Sequence, residues 1–193
     1  MQMRVWLRLK DKIIVGISGA SGSVLAVRML EELKKAGIET HVILTEAGEK
    51  VLGHETKYRR EDIEKLSDFF YDEKDLGASV ASGSFRTSGM VVVPCSMKTL
   101  AGIANGFAEN LLLRAADVCL KERKRLVLVA RETPLNLIHI ENMKKVTLAG
   151  GVVLPPVLSF YSESGSVEGL VNFIIGKTLD IFGIENNIFK RWK

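Results

Sequence analysis

The sequence predicts an α/β protein built on an open, mostly parallel β-sheet with helices on both faces. Short apolar runs, typical of buried parallel strands, alternate with longer segments in which apolar residues recur at helical spacing. Polar or charged groups follow four of the predicted strands, at the edge where such sheets bind ligands. The 193 residues are enough for one domain with a full hydrophobic core.

The first predicted unit is a strand, a glycine-rich turn and a helix. The apolar run 13–17 predicts the strand, and SGASGS at 18–23 predicts the turn. Apolar residues at helical spacing over 24–33 predict the helix, which Gly37 ends. The N–H groups at the start of such a helix form an anion site.

The glycines of this unit are spaced Gly-x-x-Gly-x-x-Gly, at Gly16, Gly19 and Gly22. That spacing matches neither the dinucleotide fingerprint nor a Walker loop. Glycine permits backbone conformations or a close ligand approach that a side chain would block. Two interpretations remain open: a site for a phosphate-bearing ligand, or a tight turn that caps the helix without a ligand.

The next part of the chain predicts a second strand over 39–45 and a helix over 46–53. Thr45 then lies at a carboxyl strand end. The charged stretch that follows predicts a helix over 60–66 and otherwise loop. The small polar residues of 78–88 predict a loop that faces a ligand.

A second strand–loop–helix unit follows. Residues 90–93 predict a buried strand that Pro94 ends, and a helix of small residues runs to about residue 104. Between them, Ser96, Lys98 and Thr99 are available as ligand donors, and Lys98 offsets negative charge. The alternative is that Ser96 only caps the helix.

The third unit pairs a helix over 110–123 with a strand over 126–130. Arg114 and Lys121 are seven residues apart, so they share one face of that helix, two turns separated. A solvated charged face is the ordinary explanation for such a pair. The dipeptide Arg131-Glu132 follows the strand, at another carboxyl end.

The last part of the chain predicts a helix over 135–149, a short strand over 152–154 and a loop over 157–165. A final helix spans 166–182. Two candidate residues lie here: Tyr161 and Lys177.

Composition excludes several classes of protein. The net charge of +4 is mild and spread along the chain, so nucleic-acid binding is not expected. The two cysteines, Cys95 and Cys119, form no metal-ligand motif, and they indicate a reducing, cytoplasmic setting. Residues 1–10 lack the apolar core of a signal peptide, and no stretch approaches the length of a membrane span.

Several motifs together make the chain resemble the flavin prenyltransferases, the UbiX/Pad1 family of the FMN-binding flavoprotein superfamily. The resemblance runs from Lys12 to Trp192, which indicates a flavoprotein domain at 12–193 after an extension at 1–11. It implies a Rossmann-like (flavodoxin-like) single domain. The motifs are VGISGASG (15–22), Glu-Thr (55–56), SGSF (82–85), PCSMKTL (94–100), RAADVCLKER (114–123), VLVARETPL (127–135), LPP (154–156), FY (160–161) and RW (191–192).

The resemblance implies a reaction. Reduced FMN accepts a dimethylallyl group from dimethylallyl monophosphate at N5 and then at C6, and phosphate is released. The prenylated FMN then serves a UbiD-type decarboxylase. No metal is implied. Such enzymes are typically dodecamers with sites between subunits.

The resemblance also assigns roles to residues. The residues expected to contact FMN are Gly19, Ala20, Ser21, Thr45, Ser96, Met97, Lys98, Thr99 and Arg131. Those expected near the chemistry are Ser21, Glu55, Arg114, Lys121 and Glu132, with Ser21 and Glu55 as a proton relay. Tyr161 and Lys177 would hold the substrate phosphate. Position 177 is often Arg in relatives, and Lys cannot form the bidentate hydrogen bonds of a guanidinium.

Three alternatives are weighed. A flavin-dependent cysteine decarboxylase needs a catalytic histidine, for which His54 is the candidate, but PCSMKTL replaces the asparagine-bearing motif of that class. A decarboxylase of phenylacrylic acids would act alone on an aromatic acid. A carrier that delivers FMN would not need the cations and hydroxyl of Arg114, Lys121, Tyr161 and Lys177.

Overall fold

A computed structural model describes residues 11–159 and 166–192. The strands are β1 (Lys12–Ile17), β2 (Glu39–Leu44), β3 (Phe69–Asp72), β4 (Gly89–Cys95), β5 (Arg125–Ala130) and β6 (Val152–Val153). The helices are α1 (Ser23–Lys35), α2 (Glu46–Glu55), α3 (Arg60–Leu66), α4 (Met97–Ala104), α5 (Leu111–Lys121), α6 (Leu137–Leu148) and α7 (Val167–Phe182). The predicted extension lies almost wholly outside the described residues, as does Tyr161.

The described strands form one sheet in the order β3-β2-β1-β4-β5-β6, and every pair is parallel. This is the Rossmann order; without the edge strand β3, the remaining five follow the flavodoxin order. The strand order reverses between β1 and β4, and ligands bind at the carboxyl ends of strands at such a point. The predicted fold class is confirmed.

The sheet has a hydrophobic core on each face. On one face α1, α2, α3 and α7 pack against the sheet through side chains such as Leu30, Leu52, Ile63 and Ile175. On the other face α4, α5 and α6 do so through Leu100, Leu112 and Val146. Because both faces are covered, the inner strands are almost continuously apolar, and this made them visible in the sequence.

Two predictions about strands are wrong. The stretch expected to be loop after α3 contains β3, which pairs with β2 so that Phe69 lies opposite His41. This edge strand is covered incompletely, so its charged flanks hide it from a search for apolar runs. Pro94 does not end β4, which continues to Cys95 with a shift of register between Val92 and Cys95. Such an irregularity is where a sheet tolerates proline.

The loop over 78–88 ends beside the start of β1, at the edge of the sheet opposite the carboxyl strand ends. The hydroxyl of Thr87 donates to the carbonyl of Lys12, the first residue of β1. The expectation that this loop faces a ligand stays a prediction.

α6 exposes most of its apolar residues. Leu137, Ile138 and Leu148 are each at least 70 % exposed, while Val146 is fully buried. The helix thus presents apolar surface away from the core of its own chain. Among the described helices, none combines the length and apolar character needed to cross a membrane.

Candidate active site

Ser18 joins the two strands at the point where the strand order reverses. Its buried hydroxyl donates to the carbonyl of Pro94 at 2.9 Å and accepts from the N–H of Ser96 at 2.8 Å. The residue after β1 therefore fixes the residue before α4. This brings the two turns expected to bind a ligand side by side.

In the first turn, glycine allows a helix of the same chain to approach closely. A Cβ on Gly19 would lie 2.6 Å from the Cβ of Ala47, so glycine allows α2 to pack against this turn. Gly22 has a φ of 112°, which side chains rarely adopt, and precedes α1. The expected close approach is thus, at Gly19, an approach of helix α2.

The anion at the start of α1 is the carboxylate of Glu55. Its Oε2 accepts from the N–H of Gly22 at 2.8 Å and from the N–H of Ser23 at 2.9 Å. The hydroxyl of Ser21 lies beside this carboxylate and helps to lower its pKa. The structure therefore brings Ser21 and Glu55 together, and two of the N–H groups at the start of α1, those of Gly22 and Ser23, are already bonded.

These contacts change the acidity of Glu55. Partial burial raises its pKa, but the hydrogen bonds from Ser21, Ser23 and Gly22 together lower it, and the net effect is a pKa below the usual value. Glu55 is therefore a carboxylate at neutral pH. As a carboxylate it only accepts hydrogen bonds.

A cavity of about 440 Å³, which we call the polar cavity, opens at the carboxyl edge of the sheet. Three helices begin at it: α2, α4 and α5. Their first residues or caps line its wall, and so do most of the residues expected to contact a cofactor. The expected residues on this wall are Gly19, Thr45, Ser96, Lys98 and Thr99.

Each of the three helices is capped by a side chain. The Thr45 hydroxyl accepts from the N–H of Gly48 at 3.0 Å, and the Ser96 hydroxyl accepts from the N–H of Thr99 at 3.2 Å. Asn110 caps α5 in the same way. The capping role weighed for Ser96 is therefore present. The positive dipole ends of three helices converge on one cavity, which favours an anion there.

Among the described residues of this cavity, the unpaired cation is at the start of α4. Lys50 is paired with Glu46 at 2.7 Å, whereas Lys98 extends from the first turn of α4 into the same cavity. The first N–H groups of a helix have no partner within it, so those of Met97 and Lys98 add donors to the ammonium group. Ser96 and Thr99 supply hydroxyls beside them.

A second cavity, of about 220 Å³, lies on the other side of the 19–21 turn, between α1 and α7. We call it the apolar cavity because side chains such as Leu25, Leu170 and Ile174 dominate its wall. Its polar side chains are those of Ser21 and Arg131. A small hydrocarbon group with a charged end suits this lining.

The other expected residues lie near the cavities or apart from them. Ala20 is buried in the turn between the two cavities, and Met97 packs against the core beneath α4. Glu132 follows Arg131 and is exposed, with its carboxylate accepting from the N–H of Thr133. Lys177 is exposed on α7, one turn beyond Ile174.

Arg114 and Lys121 do not join this site within one chain. Arg114 donates to the carbonyl of Ala81 and pairs with Asp117 at 2.9 Å. Lys121, paired with Glu122, ends α5, about 15 Å along the axis from the end that lines the polar cavity.

Among the residues of the polar cavity that sequence reasoning missed are Glu73 and Asn110. Asn110 was recognisable only as the start of a predicted helix. Glu73 lies in a run of acidic and basic residues, and nothing in the local pattern separates it from its neighbours.

The Flavoprotein family profile matches residues 7–179. A probable UbiX-like flavin prenyltransferase of Sedimentibacter hydroxybenzoicus is 51 % identical over 183 residues, which cover 94 % of this chain and 97 % of that protein. The chain belongs to the Flavoprotein family, among the UbiX-like flavin prenyltransferases. The match to the Sedimentibacter relative covers nearly the full length of both proteins.

Two solved structures share the fold closely. The crystal structure of AnUbiX (PadA1) with FMN and dimethylallyl pyrophosphate has a TM-score of 0.95 at 46 % identity, and the match covers 96 % of this chain and 98 % of that one. A dodecameric FMN-dependent Ubix-like decarboxylase from Escherichia coli O157:H7 has a TM-score of 0.92 at 44 % identity, covering 94 % and 99 %.

The histidine that a cysteine decarboxylase would require is absent from both cavities. His54 lies near the end of α2 and faces a surface formed with Arg59 and Arg60. The cysteines are no substitute, because burial raises the pKa of the Cys95 thiol and raises that of Cys119 to about 12. Within residues 11–159 and 166–192, no three metal-ligating side chains of His, Cys, Asp or Glu come together.

Proposed function

We propose that this flavoprotein transfers the dimethylallyl group of dimethylallyl monophosphate to N5 and C6 of reduced FMN and releases phosphate. The observation that carries the proposal is the pair of cavities on the two sides of the 19–21 turn. One is lined by helix starts and two lysines, Lys50 and Lys98, and the other is apolar with an arginine at its wall. An anionic flavin and an allylic phosphate need two such compartments side by side.

The residues of the polar cavity fit FMN. A flavin monophosphate needs cationic and N–H donors at its phosphate, which Lys98 and the first turn of α4 supply. Hydroxyls at Ser96 and Thr99 suit the phosphate and the ribityl chain. Bound and reduced, FMN supplies the electron-rich centre that attacks the allylic carbon.

The apolar cavity suits the prenyl donor. Its aliphatic wall excludes water from a forming allylic cation, and Arg131 offers a guanidinium to the departing phosphate. The leaving group is already charged, so electrostatic stabilisation and positioning carry most of the catalysis. We assign Tyr161 and Lys177 to the same phosphate, from the resemblance of the chain to its family.

Ser21 and Glu55 are the groups we assign to proton transfer. Ser21 lines the apolar cavity, and its hydroxyl lies beside the Glu55 carboxylate. With its proton donated to Glu55, the serine oxygen would accept a proton from a ligand, and Glu55 would receive the hydroxyl proton in turn. Glu132, exposed beside Arg131, is assigned to proton exchange with the departing phosphate.

Arg114 and Lys121 would act in the site of a neighbouring copy. Lys121 is far from the cavities of its own chain, Arg114 bonds to Asp117 and to the carbonyl of Ala81, and α6 exposes apolar residues that suit burial between copies. A dodecamer, as named for the relative from Escherichia coli, is the assembly we propose. The recipient of the product would be a UbiD-type decarboxylase, and the setting the cytoplasm, where the free cysteines stay reduced.

One experiment tests the proposal. Purified protein is incubated with dithionite-reduced FMN and dimethylallyl monophosphate, with the diphosphate in parallel, and the flavin is analysed by mass spectrometry. A gain of one five-carbon prenyl unit is expected with the monophosphate. An unmodified flavin, with carbon dioxide released from a cysteinyl peptide or a phenylacrylic acid, would instead support a decarboxylase.

A further inference from the structure

Glu73 connects two helix starts at the polar cavity. It follows β3, and its Oε1 accepts from the N–H of Glu46 at 2.7 Å, at the first residue of α2. Its Oε2 accepts from the side-chain amide of Asn110 at 2.9 Å, the cap of α5. Its backbone carbonyl accepts from the N–H of Leu111 at 2.7 Å.

The two helices belong to opposite layers of the protein. α2 packs into the core on the α1 face through Leu52, whereas α5 packs on the other face through Leu112. Glu73 therefore ties the layers together across the carboxyl edge of the sheet. Its partners Glu46 and Asn110 line the polar cavity, as does Thr45, which precedes Glu46.

The charge of Glu73 opposes the ligand that this cavity suits. A carboxylate in the wall of an anion site repels a phosphate, so electrostatic attraction does not account for its presence. Its presence is explained by its bonds to Glu46 and Asn110, which hold the starts of α2 and α5. Two charge-assisted hydrogen bonds to one carboxylate are stronger than neutral ones and restrict the separation of the groups they join.

We propose that Glu73 is a positioning residue for the phosphate of FMN. It holds the starts of α2 and α5 at the separation at which the cavity accepts a flavin phosphate beside Lys98. This inference rests on the proposed function, because it takes FMN as the ligand.

If Glu73 acts only through its charge, removing that charge should tighten FMN binding. If it positions the two helix starts, the same change should weaken FMN binding. Dissociation constants of oxidised FMN and of riboflavin, which lacks the phosphate, are measured by quenching of flavin fluorescence. Wild-type protein is compared with Glu73→Gln and with Glu109→Gln, whose carboxylate also lines the cavity. We expect Glu73→Gln to weaken FMN binding about tenfold and riboflavin binding less than about twofold. Glu109→Gln, which removes the same charge, should not weaken FMN binding.

Other outcomes overturn the inference. Unchanged or tighter FMN binding by Glu73→Gln would mean that only charge matters, and equal losses for FMN and riboflavin would indicate a general structural defect. If Glu73→Gln does not fold, Glu73→Asp keeps the charge but is one methylene too short for both bonds, and the same selective loss is expected. Wild-type protein that fails to bind FMN would refute the proposed function itself.

Discussion

The carboxylate of Glu55 accepts a hydrogen bond at 2.9 Å from the N–H of Ser23, a residue 32 positions earlier in the chain. The last residue of α2 thereby caps the first residue of α1. A protein carboxylate thus occupies the positive end of the α1 dipole, and the N-terminus of α4 is left for a ligand anion.

Glu55→Gln should lower stability at neutral pH and change its dependence on pH. The pKa of Glu55 is lowered in the folded protein, so its contribution is present above about pH 4.5 and is lost as the pH falls through the folded value. We expect a loss of about 1 kcal/mol at pH 7, because solvent screens this exposed carboxylate. The difference from wild type in urea unfolding should shrink at pH 3.5. Glu61→Gln, an exposed carboxylate at the start of α3, is the control and should show no such trend.

Ser21→Ala should slow prenyl transfer while FMN stays bound. Ser21 lines the apolar cavity beside Glu55, whereas the phosphate donors that we assign in the polar cavity lie on α4. The loss of a positioned proton acceptor is expected to cost about a hundredfold in kcat. Single-turnover rates and FMN dissociation constants measure the two effects separately. Turnover at the wild-type rate would remove Ser21 from the chemistry.

Lys98→Met should weaken FMN binding about tenfold, because a charge-assisted bond to the phosphate is lost. The affinity of the variant should also fall less steeply with added salt than that of the wild type. Lys50→Met is the matched control, since Lys50 lines the same cavity but is paired with Glu46. Calorimetric titration at two salt concentrations measures the FMN affinity and its salt dependence. Equal losses for the two variants would contradict the placement of the phosphate at α4.

Leu170→Phe should raise the KM for dimethylallyl monophosphate and leave FMN affinity unchanged. The larger ring would fill part of the 220 Å³ apolar cavity, in which we place the prenyl group. Initial rates over a range of donor concentrations measure the effect. Leu76→Phe, at an exposed position outside both cavities, serves as the control. A raised FMN dissociation constant with an unchanged KM would place the prenyl group elsewhere.

Two inactive chains should restore activity when they are mixed. Lys121 ends α5 far from the cavities of its own chain, so a complete site would combine Ser21 of one copy with Lys121 of another. We expect Ser21→Ala and Lys121→Ala to be impaired alone and to recover part of the activity when refolded or co-expressed together. No recovery, with mixed oligomers verified by mass spectrometry, would place each site within one chain.

The sequence by itself determined the units of this protein and the donors of its polar cavity. Apolar runs and helical spacing are local properties, so β1, α3 and α7 were predictable within a residue or two, and Thr45 and Ser96 to Thr99 could be assigned to carboxyl strand ends. Only the tertiary structure decided that β3 forms an edge strand.

The tertiary structure also decided that Glu55 caps α1, that Glu73 joins α2 to α5, and that Lys121 lies apart from the cavities. Each of these joins or separates residues that are distant in the chain, through charged groups that look alike in the sequence. The local pattern of charge does not specify such partners; the packing of helices on the two faces of the sheet does.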